Sequence, residues 1–129
     1  MNREHTIQFR VRYQETDAQG RVHHANYFTY FEMGRVEQLR AAGYDYRKLE
    51  EEGTLLVVHD IGCRYHRPAQ YDDLLTLRTR TVRITPARIE HEYEVLLDDL
   101  LLAKGQSVLA CIGRDGNVRR MPDWMVLED

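Results

Sequence analysis

The feature that most limits the fold is a single change of hydrophobic period near the start of the chain. Residues 6–13, TIQFRVRY, alternate: Ile7, Phe9, Val11 and Tyr13 face one way, and Gln8, Arg10 and Arg12 the other. Alternation at period two marks a half-buried strand. From about His24 to Ala42 the period becomes helical. His24, Phe28, Phe31, Leu39 and Ala42 fall in one broad stripe, Gln38 lies at its edge, and Glu37 and Arg40 lie opposite. Gly43 closes the run as a C-terminal cap. A short second helix is expected over 46–52, closed by Gly53. Beyond it only strand patterns follow: 54–66, ending before Pro68; 74–84, broken by Pro86; an alternating run over 89–97; 100–112; and a short last strand over 117–121. Asp98-Asp99 and Asp115-Gly116 supply tight turns between them. Pro122 and the acidic residues after it predict a loosely ordered tail over 121–129. One long helix among strands joined by short turns is an α+β arrangement, an antiparallel sheet with one principal helix packed on it.

The 129 residues argue for one domain over 1–129. A domain of that size buries roughly two thirds of its unfolded surface, enough for a real core. Hydrophobic residues at 43% and charged residues at 30% fit a soluble globular class. A net charge of −3 gives no argument for nucleic acid or an acidic membrane surface as a partner. The opening MNREHTIQF has no apolar signal core. No run approaches the ~20 apolar residues of a membrane-spanning helix. A cytoplasmic setting is the default expectation. Cys63 and Cys111 stand far apart, outside any CxxC or Cys/His ligand spacing, and are expected as buried free thiols.

Candidate chemistry concentrates in ETDAQGRVHHANY, residues 15–27. Asp17 sits in the loop before the long helix. The first turn of that helix offers unpaired backbone N–H groups and the positive end of the helix dipole, which can polarise a carbonyl oxygen or hold an oxyanion. A carboxylate facing the same point attacks a carbonyl carbon or activates water. The competing reading is structural: Asp17 stabilises the loop or caps the helix. His23 and His24 are adjacent, so on a helix they do not face each other. With no HxxxH or HxH spacing elsewhere, no protein-bound metal is expected. His24 suits a helix-start residue lining a site, and His23 an exposed position. Glu32 and Arg35 share the helical stripe, as a second carboxylate near the site or as an ion pair at a packing surface. Arg64 and Arg67 either meet phosphate groups or form the solvent face of a strand end. Tyr13, Tyr27, Tyr30 and Phe31 either line an acyl pocket or belong to the core. No GxSxG, P-loop or GxGxxG occurs.

RYQETDAQGRVHHANYFTYFEMGRVEQLR resembles the signature of hot-dog-fold acyl-CoA thioesterases of the 4-hydroxybenzoyl-CoA thioesterase type, above all the branch associated with the Tol–Pal envelope system. The matching residues are Tyr13, Thr16-Asp17, Gly20, Val22, His24, Asn26-Tyr27, Glu32, Arg35 and Leu39-Arg40. A weaker second block is Arg67-Pro68-Ala69 with Tyr71-Asp72-Asp73-Leu74. The likeness runs from about residue 6 to 120. It implies a hot-dog fold, a curved antiparallel sheet wrapped around the long central helix. It also implies a homodimer with a continuous sheet, commonly paired into a homotetramer, with active sites at the dimer interface. Asp17 takes the place of the catalytic carboxylate, as nucleophile or general base. The carbonyl-polarising amide falls at about His24, whose side chain shapes the site. Tyr27 and Phe28 help wall the substrate site. Coenzyme A enters as substrate, and no cofactor is implied. The chain departs from the pattern at Gln19, which bears on substrate choice, at His23, and at Met33-Gly34. A glycine inside a helix costs roughly 1 kcal/mol against alanine, and Gly34 allows close approach of the sheet or of a partner subunit. Two other functions share the pocket: a non-catalytic acyl-thioester binding module, and a hydroxyacyl-thioester dehydratase using a histidine base.

Overall fold

The computed structural model describes residues 1–128. Five strands form one antiparallel sheet: β1 (Glu4–Arg10), β2 (Leu55–Tyr65), β3 (Leu74–Ile84), β4 (Arg88–Leu97) and β5 (Leu100–Ile112), in the order β1-β3-β4-β5-β2. The helices α1 (Asn26–Ala41) and α2 (Tyr46–Glu51) separate β1 from β2. Asp45 caps α2 by accepting the Arg47 N–H at 2.9 Å. Leu97 pairs with Leu100 across the two-residue Asp98-Asp99 turn, where Asp98 takes a φ of +54°. This is the α+β hot-dog arrangement, a sheet carrying one long helix.

The long helix presses onto the sheet at Gly34. A Cβ there would overlap the Thr79 side-chain oxygen on β3 and lie 2.9 Å from a Leu77 methyl carbon. The close approach is therefore to the sheet of the same chain, and the absent side chain sets the seat of α1. On that seat Phe31 stacks on Tyr93 with ring centroids 4.3 Å apart and planes within 7°. Tyr30 and Phe31, both fully buried, join Leu75, Leu77, Tyr93 and Val95 in one core cluster. A second cluster gathers Leu39, Leu49, Ile89, Leu109 and Cys111 at the other end of the helix.

The buried face of α1 is Tyr27, Tyr30, Phe31, Gly34, Gln38 and Leu39. It is rotated from the stripe read off hydrophobicity, because two tyrosines, a glycine and a glutamine occupy it. His24 lies before the helix and is exposed. Gln38 is buried, donating to the carbonyls of Asn2 and Arg3 and accepting from the Thr81 hydroxyl at 2.9 Å. Arg35 donates to the Tyr93 hydroxyl at 3.0 Å, and that hydroxyl also bonds Ser107. Glu32 is exposed and forms no ion pair with Arg35 among the described residues.

Other expectations need correction. The first strand stops at Arg10, and Tyr13 is 77% exposed, because the chain turns into a short 3-10 segment at Tyr13–Glu15. The Asp115-Gly116 turn forms, but the strand expected over 117–121 shrinks to one bridge, Ile112 to Val118. Residues 121–128 are not loose: Met121 and Met125 are buried, Trp124 stacks on Tyr44 at 3.7 Å, and the Met1 ammonium donates to the Val126 carbonyl. Met121, Trp124, Met125 and Leu127 join the second core cluster, which outweighs the break at Pro122. Asp129, the last residue of the expected tail, lies outside the described residues. Cys111 is buried and Cys63 half-buried, both as free thiols.

His91 on β4 is 4% exposed, and its Nδ1 has no hydrogen-bond partner. Burial, with the Arg35 guanidinium nearby, pulls the imidazole down to about 3. Between that value and the ordinary 6.5 the unfolded chain binds a proton that the folded chain refuses, so stability falls as pH drops through this window. The slope approaches about 1.4 kcal/mol per pH unit. Denaturant titrations from pH 7 to pH 4 should show a loss in the parent that is clearly shallower in His91→Leu. Parallel pH profiles for the two proteins would contradict it.

Candidate active site

Backbone bonds to residues 69–73 hold the loop from Val11 to His23 on one side, and one side chain that the sequence did not mark ties it to the helix. Glu15 is 7% exposed. One carboxylate oxygen accepts the Arg12 N–H at 2.8 Å and the buried Tyr30 hydroxyl at 3.0 Å; the other meets the Arg12 guanidinium at 3.0 Å. The Glu15 carbonyl also accepts from the His23 N–H at 2.9 Å and from the Asn26 side chain at 2.8 Å. Burial and this carboxylate push the Tyr30 phenol far up, so it remains a donor. The loop is thereby tied to the first two turns of α1. A Tyr on the core face of a helix needs a partner for its hydroxyl, and that is the signal by which Glu15 could have been found.

Asp17 follows two residues later, half-buried. Its N–H bonds the Arg21 carbonyl at 2.8 Å, closing a tight turn in which Gly20 takes a φ of +79°. Its Oδ1 accepts the Gln19 N–H at 2.8 Å and, weakly, the Arg21 N–H at 3.4 Å. Backbone donors therefore orient the carboxylate, and Oδ2 is left without a partner among the described residues.

At the start of α1 most amides are already engaged. The N–H of Ala25 donates to His23 Nδ1, that of Asn26 to the His23 carbonyl, that of Tyr27 to the His24 carbonyl, and that of Phe28 to the Ala25 carbonyl. The His24 N–H donates to no described residue. Tyr65, at the end of β2, donates to the His24 carbonyl at 2.9 Å and sets its ring edge-on to Tyr27 at 5.1 Å. Partial burial, with the Cys63 thiol beside it, pushes the Tyr65 phenol up to about 12, which keeps this donor protonated. Burial raises the Tyr27 phenol as well.

Asp17, Gln19, His24 and Tyr27 line one open cleft of about 250 Å³, together with Arg21 and Tyr65. His66 and Arg67 complete its rim. Phe28 is not part of it; one position along the helix, the ring turns toward Phe31 at 6.2 Å. Arg64 also stays outside the lining. His23 and His24 stack on each other at 4.3 Å. Among the described residues no group of three or more His, Cys, Asp or Glu side chains could hold a metal ion. A second cavity, about 320 Å³, lies farther along α1 between that helix, α2 and the opposite end of the sheet.

A sheet laid against one long helix, with a carboxylate loop beside the helix start, defines a hot-dog-fold protein. A sequence profile described as the thioesterase superfamily matches residues 19–104. The chain belongs to the thioesterase superfamily, and it is a thioester hydrolase. It is 35% identical over 113 residues to a putative esterase of Aquifex aeolicus, covering 88% of each chain. It is 36% identical over 104 residues to the acyl-CoA thioesterase YbgC of Haemophilus influenzae, covering 80% of this chain and 76% of that one. In three dimensions it matches a probable thioesterase from Bartonella henselae with a TM-score of 0.88 and 37% identity, over 92% of this chain and 99% of the other.

Removing the Glu15 carboxylate should loosen the loop and strand a buried hydroxyl. Glu15→Ala should cost about 1–3 kcal/mol, the penalty of an unsatisfied buried polar group. In a Tyr30→Phe background the same change should cost measurably less, since no hydroxyl is then orphaned. Equal losses in the two backgrounds, read from denaturant midpoints, would show that Glu15 does not act through Tyr30.

Proposed function

We propose that the protein hydrolyses acyl-CoA thioesters to a free acid and coenzyme A, with Asp17 as the catalytic carboxylate. The observation that carries this reading is that one cleft is lined by Asp17, whose Oδ2 has no partner among the described residues, and by His24, whose N–H donates to none of them. The thioester carbonyl oxygen points to the His24 N–H at the positive end of α1, where developing negative charge is stabilised. Asp17 then either attacks the carbonyl carbon or takes a proton from the water that does. The C–S bond breaks and the thiolate takes up a proton; where water attacks, the acid is released directly, and where Asp17 attacks, the acyl group stays on its carboxylate as an anhydride until water hydrolyses it and frees the acid. The exposed His24 side chain borders the same point, Tyr27 walls the cleft, and Gln19 at its rim bears on substrate choice. Arg21 and Arg67 offer cations to the phosphates of coenzyme A.

The assembly proposed is a homodimer through β2, paired again into a homotetramer. β2 is a long edge strand, with Val57 and Val58 37% and 50% exposed. Such an edge is a template for pairing with another chain. The other edge, β1, instead turns Glu4, Thr6, Gln8 and Arg10 outward. A place in the Tol–Pal-associated branch, one domain and a cytoplasmic setting belong to the same proposal and rest on the sequence alone. No helix among the described residues is long and apolar enough to cross a membrane.

Asp17→Asn keeps the shape of the loop and removes the charge. It should lower kcat for thiol release from acyl-CoA by about 10²–10⁴-fold, with little change in the unfolding midpoint. Thiol release at the parent rate would overturn the mechanism, and tight acyl-CoA binding without any thiol release by the parent would make the protein a binding module. Loss of water from a hydroxyacyl-CoA without thiol release would identify a dehydratase. Sedimentation should give two or four times the mass of one chain; a monomer would rule out the β2 pairing.

A further inference from the structure

His24 joins two peptide planes that are held by different parts of the molecule. The plane before it, from His23 to His24, is fixed by the helix, because the His23 carbonyl accepts the Asn26 N–H at 2.9 Å. That peptide is trans, so its N–H points opposite to its carbonyl. The His24 N–H is therefore aimed away from the body of α1. The plane after it, from His24 to Ala25, is held by two side chains. Tyr65 donates to its carbonyl at 2.9 Å, and His23 Nδ1 accepts its N–H at 3.1 Å. The Tyr27 N–H reaches the same carbonyl only at 3.4 Å, a long bond. One side chain thus comes from the end of β2 and the other from the residue before His24, and between them they occupy both polar ends of one peptide group.

This arrangement decides which amide is left over. His23 stands as a helix N-cap, whose side chain ordinarily takes up an N–H two or three residues on. Here it takes that of Ala25, while the carbonyls of His23 and His24 take those of Asn26 and Tyr27. A backbone N–H can only donate, so Nδ1 is the acceptor and the neutral ring carries its proton on Nε2. The Tyr65 ring is braced as well, edge-on to Tyr27 at 5.1 Å and to His24 at 6.5 Å. Tyr65 is 45% exposed, so water would satisfy its hydroxyl. Its bond to the His24 carbonyl is not one that burial compels, unlike the bond from Tyr30 to Glu15.

We propose that Tyr65 and His23 are positioning residues for thioester hydrolysis, clamping the peptide between His24 and Ala25 so that the His24 N–H meets the substrate carbonyl oxygen from one fixed direction. The assignment rests on the acyl-CoA hydrolase reading of the Asp17 cleft. A donor already aimed at the oxygen needs no reorganisation as negative charge develops there. A misplacement of about 1 Å at such a point costs up to about 10²-fold in rate. When the following peptide rocks, the backbone angles of His24 rock with it, and the N–H loses its aim. Both side chains hold the same peptide, so losing either one releases it, and their effects overlap instead of adding.

The test is thiol release from acyl-CoA in steady state, with rates normalised to folded protein. Tyr65→Phe keeps the ring and removes the donor. It should lower kcat by about tenfold while KM stays within about twofold, the pattern of an interaction that matters only in the transition state. His23→Phe keeps a ring against His24 but removes the acceptor, and should lower kcat by a similar factor. His23→Asn supplies another capping acceptor without the ring and should recover most of the parent kcat. Combining Tyr65→Phe with His23→Phe should cost about as much as the worse single change. An unchanged kcat in Tyr65→Phe overturns the assignment and leaves the hydrolase reading intact. So does a loss carried by KM alone, which would make Tyr65 a wall of the binding site, and so does a loss that vanishes on normalisation to folded protein. His23→Asn as slow as His23→Phe overturns the capping part, and losses that multiply in the double variant overturn the shared clamp. Absence of thiol release by the parent from every acyl-CoA overturns the activity and this assignment together.

Discussion

The contact on which the rest of the molecule depends is the seat of α1 on β3, where Gly34 brings helix backbone against Thr79 and Leu77. A side chain at this point would hold the helix off the sheet. With the helix down, Phe31 lies flat on Tyr93, and Tyr30 is driven so deep that its hydroxyl must find a partner. Glu15 is that partner. Through it, the position of the helix is passed to the Asp17 loop. The carboxylate and the helix-start amide are thus not two independently placed groups. Both are referenced to the same rigid packing, as a site needing sub-ångström placement requires.

Polar groups do much of the specifying in this interface. Gln38 reaches the backbone of the N-terminal strand and the Thr81 hydroxyl, and Arg35 reaches Tyr93 and through it Ser107. Satisfied buried networks of this kind fix one register of helix on sheet, because any slide leaves donors unpaired. Two atoms in the same interface lack partners: Thr79 Oγ1, under the glycine, and His91 Nδ1, beside the second cavity. The first is the cost of the close approach. The second belongs to an imidazole that burial holds neutral, with the Arg35 guanidinium nearby.

The strands and their turns were largely legible in the sequence. Period-two patterns and the Asp98-Asp99 and Asp115-Gly116 turns are local properties, and local chemistry decides them. The helix was legible in extent but not in orientation: its buried face carries Tyr27, Tyr30, Gly34 and Gln38, so hydrophobicity alone rotated it and placed His24 inward. The grouping of Asp17, Gln19, His24 and Tyr27 was legible because loop and helix start are neighbours in sequence. Tyr65 was not placed there from sequence, since the fold brings it from 41 residues away, and Arg67 was read only as a phosphate contact or a solvent-facing strand end. Phe28 lies outside the cleft's lining, one helical step of about 100° from Tyr27.

The sequence by itself determined the α+β class, the one long helix, the antiparallel strands and the loop that carries Asp17. Each of these follows from periodicity, turn chemistry or adjacency along the chain. Only the tertiary structure decided which face of the helix is buried, that Glu15 anchors the loop, that the last residues pack against Tyr44 and Ile89's cluster, and that β2 is an edge. Those outcomes depend on contacts between segments far apart in sequence. Such contacts are governed by shape and by the pairing of buried polar atoms, which no local pattern encodes.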